Sequence, residues 1–253
     1  MIGVRTDLDE YRAAVAELPA TAALSDAADS IAVVRGAAGW ARTVLHAVAS
    51  GARAVVVDAP DSASGDLDAL AGCAAPIVFS RRGLRADAAA DAASSGRPAA
   101  VTVQLQAPRG GLRAALVDAV GWARVIAGAD LAMHAAAGDD RSALVDLAYD
   151  GGGAVLIGSE RLDARGILRL RATSVAPERV DVVTDGIAAT VTRATPAGEL
   201  VLPRRWEAPA RLALRRAVAA LEEGAAIDDL SQWRHDAALA ERARAASSAE
   251  LYQ

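Results

Sequence analysis

Residues Ile31 to Pro60, IAVVRGAAGWARTVLHAVASGARAVVVDAP, constrain the fold more than any other stretch. An apolar strand, Ile31 to Val34, enters a glycine turn, Gly36 to Gly39. A helix follows, and then a second apolar strand, Ala54 to Val57. Parallel neighbours in a sheet need a crossover, and a helix between two apolar strands supplies it. The stretch therefore predicts a βαβ unit with its strands inside a parallel sheet.

The flanking sequence extends this pattern before changing it. Leu8, Tyr11, Val15 and Leu18 recur at spacings of three and four, which predicts an amphipathic helix closed by Pro19, with a short strand before it in Met1 to Arg5. Polar SDAADS leads into the βαβ unit. Beyond it, SASGDLDALAGC reads as a capped short helix, APIVFSRR as a buried strand, Leu84 to Ala93 as a helix, SSGR as a turn and Ala99 to Leu105 as a strand. This alternation is that of a parallel sheet with helices packed on it.

From Arg109 the character differs. Leu112, Leu116, Ala119, Val120, Ala123 and Ile126 form a helical stripe, and Gly128 is placed to cap it. A strand near Leu131 to Ala136 and a polar GDDRS turn come next. ILRLRAT alternates apolar and polar residues, as a half-exposed strand does. Asp185-Gly186 separates two β-branched runs and predicts a type I′ hairpin. ELVLPR adds a strand. Leu214, Val218 and Leu221 lie on a helix stopped by Gly224, a last helix carries Leu230, Trp233 and Ala237, and AASSAELYQ is expected to fray. The expected fold is α/β plus α+β. A shortened Rossmann-like parallel sheet occupies residues 1–80. An open, largely antiparallel sheet with helices on one face occupies residues 81–253, the terminal helices included.

Composition removes whole classes of chemistry. All 27 basic side chains are arginine, so Schiff-base catalysis, pyridoxal phosphate anchoring and the phosphate-loop lysine are excluded. No asparagine is present to accept an N-linked glycan. Cys73 is alone and allows neither an internal disulfide nor a thiolate metal site. His46, His134 and His235 are not at metal-ligand spacing, so no metal is expected. A net charge of -5 argues against nucleic acid. No apolar run is long enough to span a bilayer, and the N-terminus lacks the pattern of a signal peptide, so a cytoplasmic protein without a membrane partner is expected.

The order of these features resembles the glucose-fructose oxidoreductase, inositol dehydrogenase and MocA (Gfo/Idh/MocA) family of NAD(P)-dependent oxidoreductases. The matching stretches are AAPIVFSRRGLRADAAADAASSGRPAAVTVQL, ERVDVVTDGIAATVTR and ALRRAVAALEEGAAIDDLSQWRHDAALAE. Members of that family open on a strand and a G-x-G-x-x-G turn that receives the dinucleotide, and here that opening is missing or reduced. The segment matching Ile31 to Pro60 closes in the family with an acidic residue, the catalytic lysine and proline. This chain has Asp58-Ala59-Pro60. Counted back from Gly128, the family's histidine falls at or near Asp118 and its aspartate near Ala114 or Ala115.

The resemblance therefore implies a protein that has lost ordinary hydride transfer. It would act as a non-catalytic partner of a complete homologue or through a repurposed cleft, with no cofactor. Association, as a homo-oligomer or with that homologue, would run through the C-terminal sheet. An alternative is an active NAD(P)-dependent oxidoreductase on a sugar- or polyol-like substrate. In that register Gly36 and Gly39 serve as fingerprint glycines, Asp58 meets a ribose hydroxyl and Asp118 acts as an unconventional acid-base. A further alternative is a small-molecule binding module. Arg81, at a strand end, and Trp122, four residues from Asp118 on one helix face, are the candidate substrate contacts. Each of these residues also has a plain structural reading, as an ion pair or a packed side chain.

Overall fold

The computed structural model describes residues 1–62, 67–93, 96–161 and 167–250, the last four of these as backbone only. The elements run β1 Ile2–Arg5, α1 Asp9–Ala16, β2 Ala22–Leu24, β3 Ile31–Arg35, α2 Trp40–Ala49, β4 Ala54–Asp58, a 3-10 turn Leu67–Leu70, β5 Ile77–Ser80, α3 Ala86–Ala92, β6 Ala100–Ala107 and α4 Leu112–Ala127. Then come β7 Ala132–Asp139, β8 Ser142–Tyr149, β9 Gly152–Glu160, β10 Arg169–Val175, β11 Arg179–Thr184, β12 Ala189–Thr195, β13 Gly198–Val201, α5 Pro209–Glu222 and α6 Asp229–Glu250. The cap expected before the 3-10 turn and the turn at Ser94-Ser95 lie outside the described residues. Helix α6 runs to Glu250, into the segment expected to fray, whose last residues 251–253 are also outside.

Two compact units result, Met1–Arg82 with Glu207–Arg234, and Gly83–Trp206 with His235–Gln253. Helix α5, grouped by sequence with residues 81–253, instead makes its contacts with α1, β4 and β5. Its apolar stripe of Leu214, Ala217 and Val218 lies in one core with Val4, Tyr11, Val15, Ile31 and Val56. That burial, not chain proximity, assigns it.

The first unit is a five-stranded sheet in the order β2-β1-β3-β4-β5, every pair parallel. Strands β3 and β4 are apolar up to their last residues, Arg35 and Asp58, because both faces are covered. Helices α1 and α5 share a core with Ile31, Val33 and Val56, while Trp40 of α2 meets Phe79 and Trp233 with ring centroids 5.3 to 5.6 Å apart, edge to face. Arg216 grips Asp229 through two hydrogen bonds of 2.6 and 2.8 Å, and Asp229 also accepts the Phe79 N–H at 2.7 Å, which ties the start of α6 to β5.

The second unit is an eight-stranded sheet, β13-β12-β11-β10-β6-β9-β8-β7, antiparallel except for the β6–β9 pair. Helix α4 packs on β6, β9 and β10 through the predicted stripe and ends at Gly128, whose φ of 61° is the left-handed cap. Strands β2, β8 and β9 were not among the expected elements. The β11–β12 turn is not the expected type I′. Gly186 has φ 82°, but among the described non-glycine residues only Ala59 has positive φ, so Asp185 does not supply the second left-handed residue. Its Oδ1 instead accepts the Ile187 and Ala188 N–H groups at 3.0 and 2.9 Å and closes a four-residue loop.

Candidate functional site

Strand order reverses around β1, since the chain moves from β1 to β2 on one side and to β3 on the other. The crevice outside the carboxyl ends of β1 and β3 is where open α/β sheets bind ligands. The strand that opens the family pattern is thus present as β1, but its turn is not glycine-rich. It reads Thr6-Asp7-Leu8, and the Thr6 hydroxyl takes the Leu8 N–H at 3.1 Å. Helix α1 then opens on Asp9 and Glu10. Two carboxylates already answer the positive end of this helix, so a pyrophosphate brought there meets like charge.

Below this turn the edge is filled by the chain's own side chains. The buried Tyr11 hydroxyl donates to Asp58 Oδ1 at 3.1 Å. Burial, reinforced by the Asp58 charge, pushes the phenol well above its usual range, so it stays a donor. Arg82 lies 3.5 Å from Glu10 and 3.9 Å from Asp58. Partial burial and then the neighbouring Asp58 raise the Glu10 carboxyl, while Arg82 and Arg35 oppose the shift. Asp58 is held by Tyr11 rather than exposed for a ribose hydroxyl. Tyr11 and Glu10 were not sequence candidates, because helical periodicity assigns Tyr11 to the apolar stripe and gives no hint of a partner on β4.

The glycines have different duties from those of a fingerprint. Gly36 donates its N–H to the Asp58 carbonyl and accepts the Asp61 N–H, each at 2.7 Å. A Cβ on Gly36 would sit 2.4 to 2.5 Å from Ala59 O, Asp58 O and Pro60 Cα. The loop 58–61 lying against it by itself requires glycine here. Gly39 takes φ 79° at the start of α2, and Trp40 Nε1 donates to Asp61 O at 3.1 Å, fastening the same loop. Asp61 thus locks both the strand end and the helix start.

Ala59, where the resemblance leads one to expect lysine, is exposed and left-handed at φ 48°. A Cβ in that region costs about 1 kcal/mol. Ala59→Gly should therefore stabilise the chain by about 0.5 kcal/mol after the glycine entropy cost, and Ala59→Val should destabilise it by about 1 kcal/mol or more. Urea midpoints of the two variants check both signs.

In the second unit Asp118 Oδ2 accepts the Gly83 N–H at 2.9 Å, and Trp122 Nε1 donates to the Gly83 carbonyl at 2.6 Å. The two side chains clamp one residue. Trp122, a candidate substrate contact by sequence, is fully buried, and its indole packs and holds backbone. Asp118 remains half-buried. Arg81 follows β5 directly and is half-buried, at the edge the sequence assigned to it. Among the described residues no group of three His, Cys, Asp or Glu side chains is placed to hold a metal, and no helix is long and apolar enough to cross a membrane.

No family model matches the chain, and comparison with curated proteins finds no match. Solved structures do. The UDP-N-acetylglucosamine 3-dehydrogenase GnnA from Acidithiobacillus ferrooxidans superposes with a TM-score of 0.74 at 16% identity, over 98% of this chain and 97% of that one. KijD10, a 3-ketoreductase from Actinomadura kijaniata solved with NADP, gives 0.68 at 16% identity over 97% and 96%. The dehydrogenase MviM from Clostridium difficile gives 0.68 at 7% identity over 95% and 97%. These are oxidoreductases of the Gfo/Idh/MocA type. At such identities the likeness speaks for architecture, and the five-stranded parallel and eight-stranded, mostly antiparallel sheets give this chain the two-domain Gfo/Idh/MocA fold.

Proposed function

We propose that this chain is a divergent cytoplasmic relative of the Gfo/Idh/MocA-type oxidoreductases that no longer performs ordinary hydride transfer. It serves as a non-catalytic partner subunit or through a repurposed cleft. The β1–α1 turn carries this reading. A dinucleotide pyrophosphate needs glycines that let the backbone approach and N–H groups left free at a helix start. This turn offers Thr6-Asp7-Leu8 and then two carboxylates. The loss of lysine at Ala59 and the engagement of Asp118 by Gly83 point the same way. Association runs through the C-terminal sheet, where Leu144, Val155 and Val175 stand exposed on the face away from α4.

Calorimetric titration with NAD(H) and NADP(H) tests the reading. Binding weaker than about 1 mM, or roughly 4 kcal/mol, is expected for all four. Micromolar affinity, or reduction of NAD(P)+ with a sugar or polyol, would sink it.

The second reading is an active oxidoreductase on a sugar-like substrate, using NAD(P). It draws on GnnA acting on a nucleotide-linked sugar and KijD10 being solved with NADP. Asp118 would be the acid-base, and Asp118→Asn would then abolish turnover while leaving the circular dichroism melt in place. A third, a small-molecule binding module, predicts a ligand retained through purification with no turnover.

A further inference from the structure

The open face of the eight-stranded sheet carries a concavity of about 690 Å³ whose polar lining is largely unspent on the fold. Arg169 and Arg171 project into it from alternate positions of β10. Gln106 and Gln104 are their register partners on β6. Among the described residues the side chains of Arg169, Gln104 and Gln106 have no hydrogen bond or ion pair. Arg171 reaches Asp181 at 3.2 Å yet stays 60% exposed. Arg204 enters from beyond β13, its guanidinium 3.9 Å above the Trp206 ring and 3.9 Å from Asp185. Among the described residues Asp185 is the one carboxylate in the lining, and two backbone N–H groups of its own loop occupy it, which holds its carboxyl below the usual range.

Among the described residues three guanidinium groups thus line the concavity against one engaged carboxylate, with Asp181 paired to Arg171 beside it, in a chain whose net charge is -5. Composition does not explain such a local excess. The chemistry of the lining does: guanidinium forks match phosphate and carboxylate oxygens, and carboxamides add neutral donors. Residues i and i+2 of a strand stand about 7 Å apart on one face, too far for a single small group to satisfy both guanidinium groups fully. We propose that this concavity binds a small multivalent oxyanion, one carrying two or more phosphate or carboxylate groups, with Arg169 and Arg171 as its principal contacts. The proposal is independent of the dinucleotide reading, since no residue of the five-stranded unit takes part.

The test is calorimetry at low ionic strength with inorganic pyrophosphate and citrate as probes, and inorganic phosphate for comparison. One pyrophosphate or citrate per chain is expected, at least tenfold tighter than phosphate and weakened by added salt; the better of the two probes identifies the anion class. Arg169→Gln, which removes no contact within the fold, should weaken binding tenfold or more, while Arg42→Gln, an exposed arginine on α2, should leave it unchanged. Equal binding to the Arg169 variant, loss on Arg82→Gln instead, or no binding of either probe at millimolar concentration overturns the proposal. So does loss of binding at protein concentrations where native mass spectrometry shows a dimer. NAD(H) titration of the Arg169 variant reports separately on the dinucleotide question.

Discussion

Replacing Arg124 by alanine is expected to destabilise the second unit by about 3–5 kcal/mol, a large share of the stability of an ordinary domain. Arg124 sends two hydrogen bonds of 2.8 and 3.1 Å to Asp236, whose carboxylate is wholly buried. The loss does not come mainly from the missing bonds. A carboxylate with no solvent exposure keeps its desolvation cost when its guanidinium partner is removed, and that cost exceeds the gain of an exposed pair several-fold. The paired replacement Arg124→Met with Asp236→Leu removes both charges and should recover most of the loss. Arg124→Lys should recover only part, because an ammonium cannot present the planar fork. Urea denaturation of the single and double variants measures the coupling. A double variant as unstable as Arg124→Ala would show that packing of α6 on α4, rather than the uncompensated charge, carries the energy.

Where the fold was legible, a single short-range signal was enough. The β3–α2–β4 unit follows from apolar runs and a glycine turn within 30 residues, and α4 from one uninterrupted stripe and its glycine cap. Strand β2 has three residues, two of them alanine, and offers no period to read. Strands β8 and β9 interleave alanine and glycine with their aliphatics, and on their exposed face Leu144, Val155 and Ile157 blur the alternation that a solvated strand should show. The candidate site was legible only at its ends. Asp58-Ala59-Pro60 could be placed at a strand terminus, but the partner of Asp58 is Tyr11, 47 positions earlier, and only the parallel order of the sheet brings them together. Likewise the clamp on Gly83 joins residues 35 and 39 positions apart, so the spacing of Asp118 and Trp122 revealed a shared face and not what that face holds.

Gly36→Ala should be the more instructive variant, because it separates the two meanings of a glycine in a turn. If Gly36 lined a phosphate cradle, alanine there would weaken a ligand and leave the fold largely intact. In this structure the added methyl would stand 2.4 Å from Ala59 O and 2.5 Å from both Asp58 O and Pro60 Cα, all backbone atoms. Side chains can rotate away from such a clash; backbone must move, and here it is fixed by the two 2.7 Å bonds between Gly36 and the 58–61 loop and by the Trp40 indole on Asp61. Overpacking in a well-fitted interior costs about 1–3 kcal/mol where side chains can adjust, so about 3 kcal/mol or more is expected at a site where they cannot. Gly39→Ala places its methyl in open space and suffers only the left-handed φ of 79°, about 1 kcal/mol. The ratio of these two losses, read from urea midpoints, is the measurement. A Gly36→Ala variant no less stable than Gly39→Ala would mean that the 58–61 loop stands off the strand, leaving the turn free to receive a ligand after all.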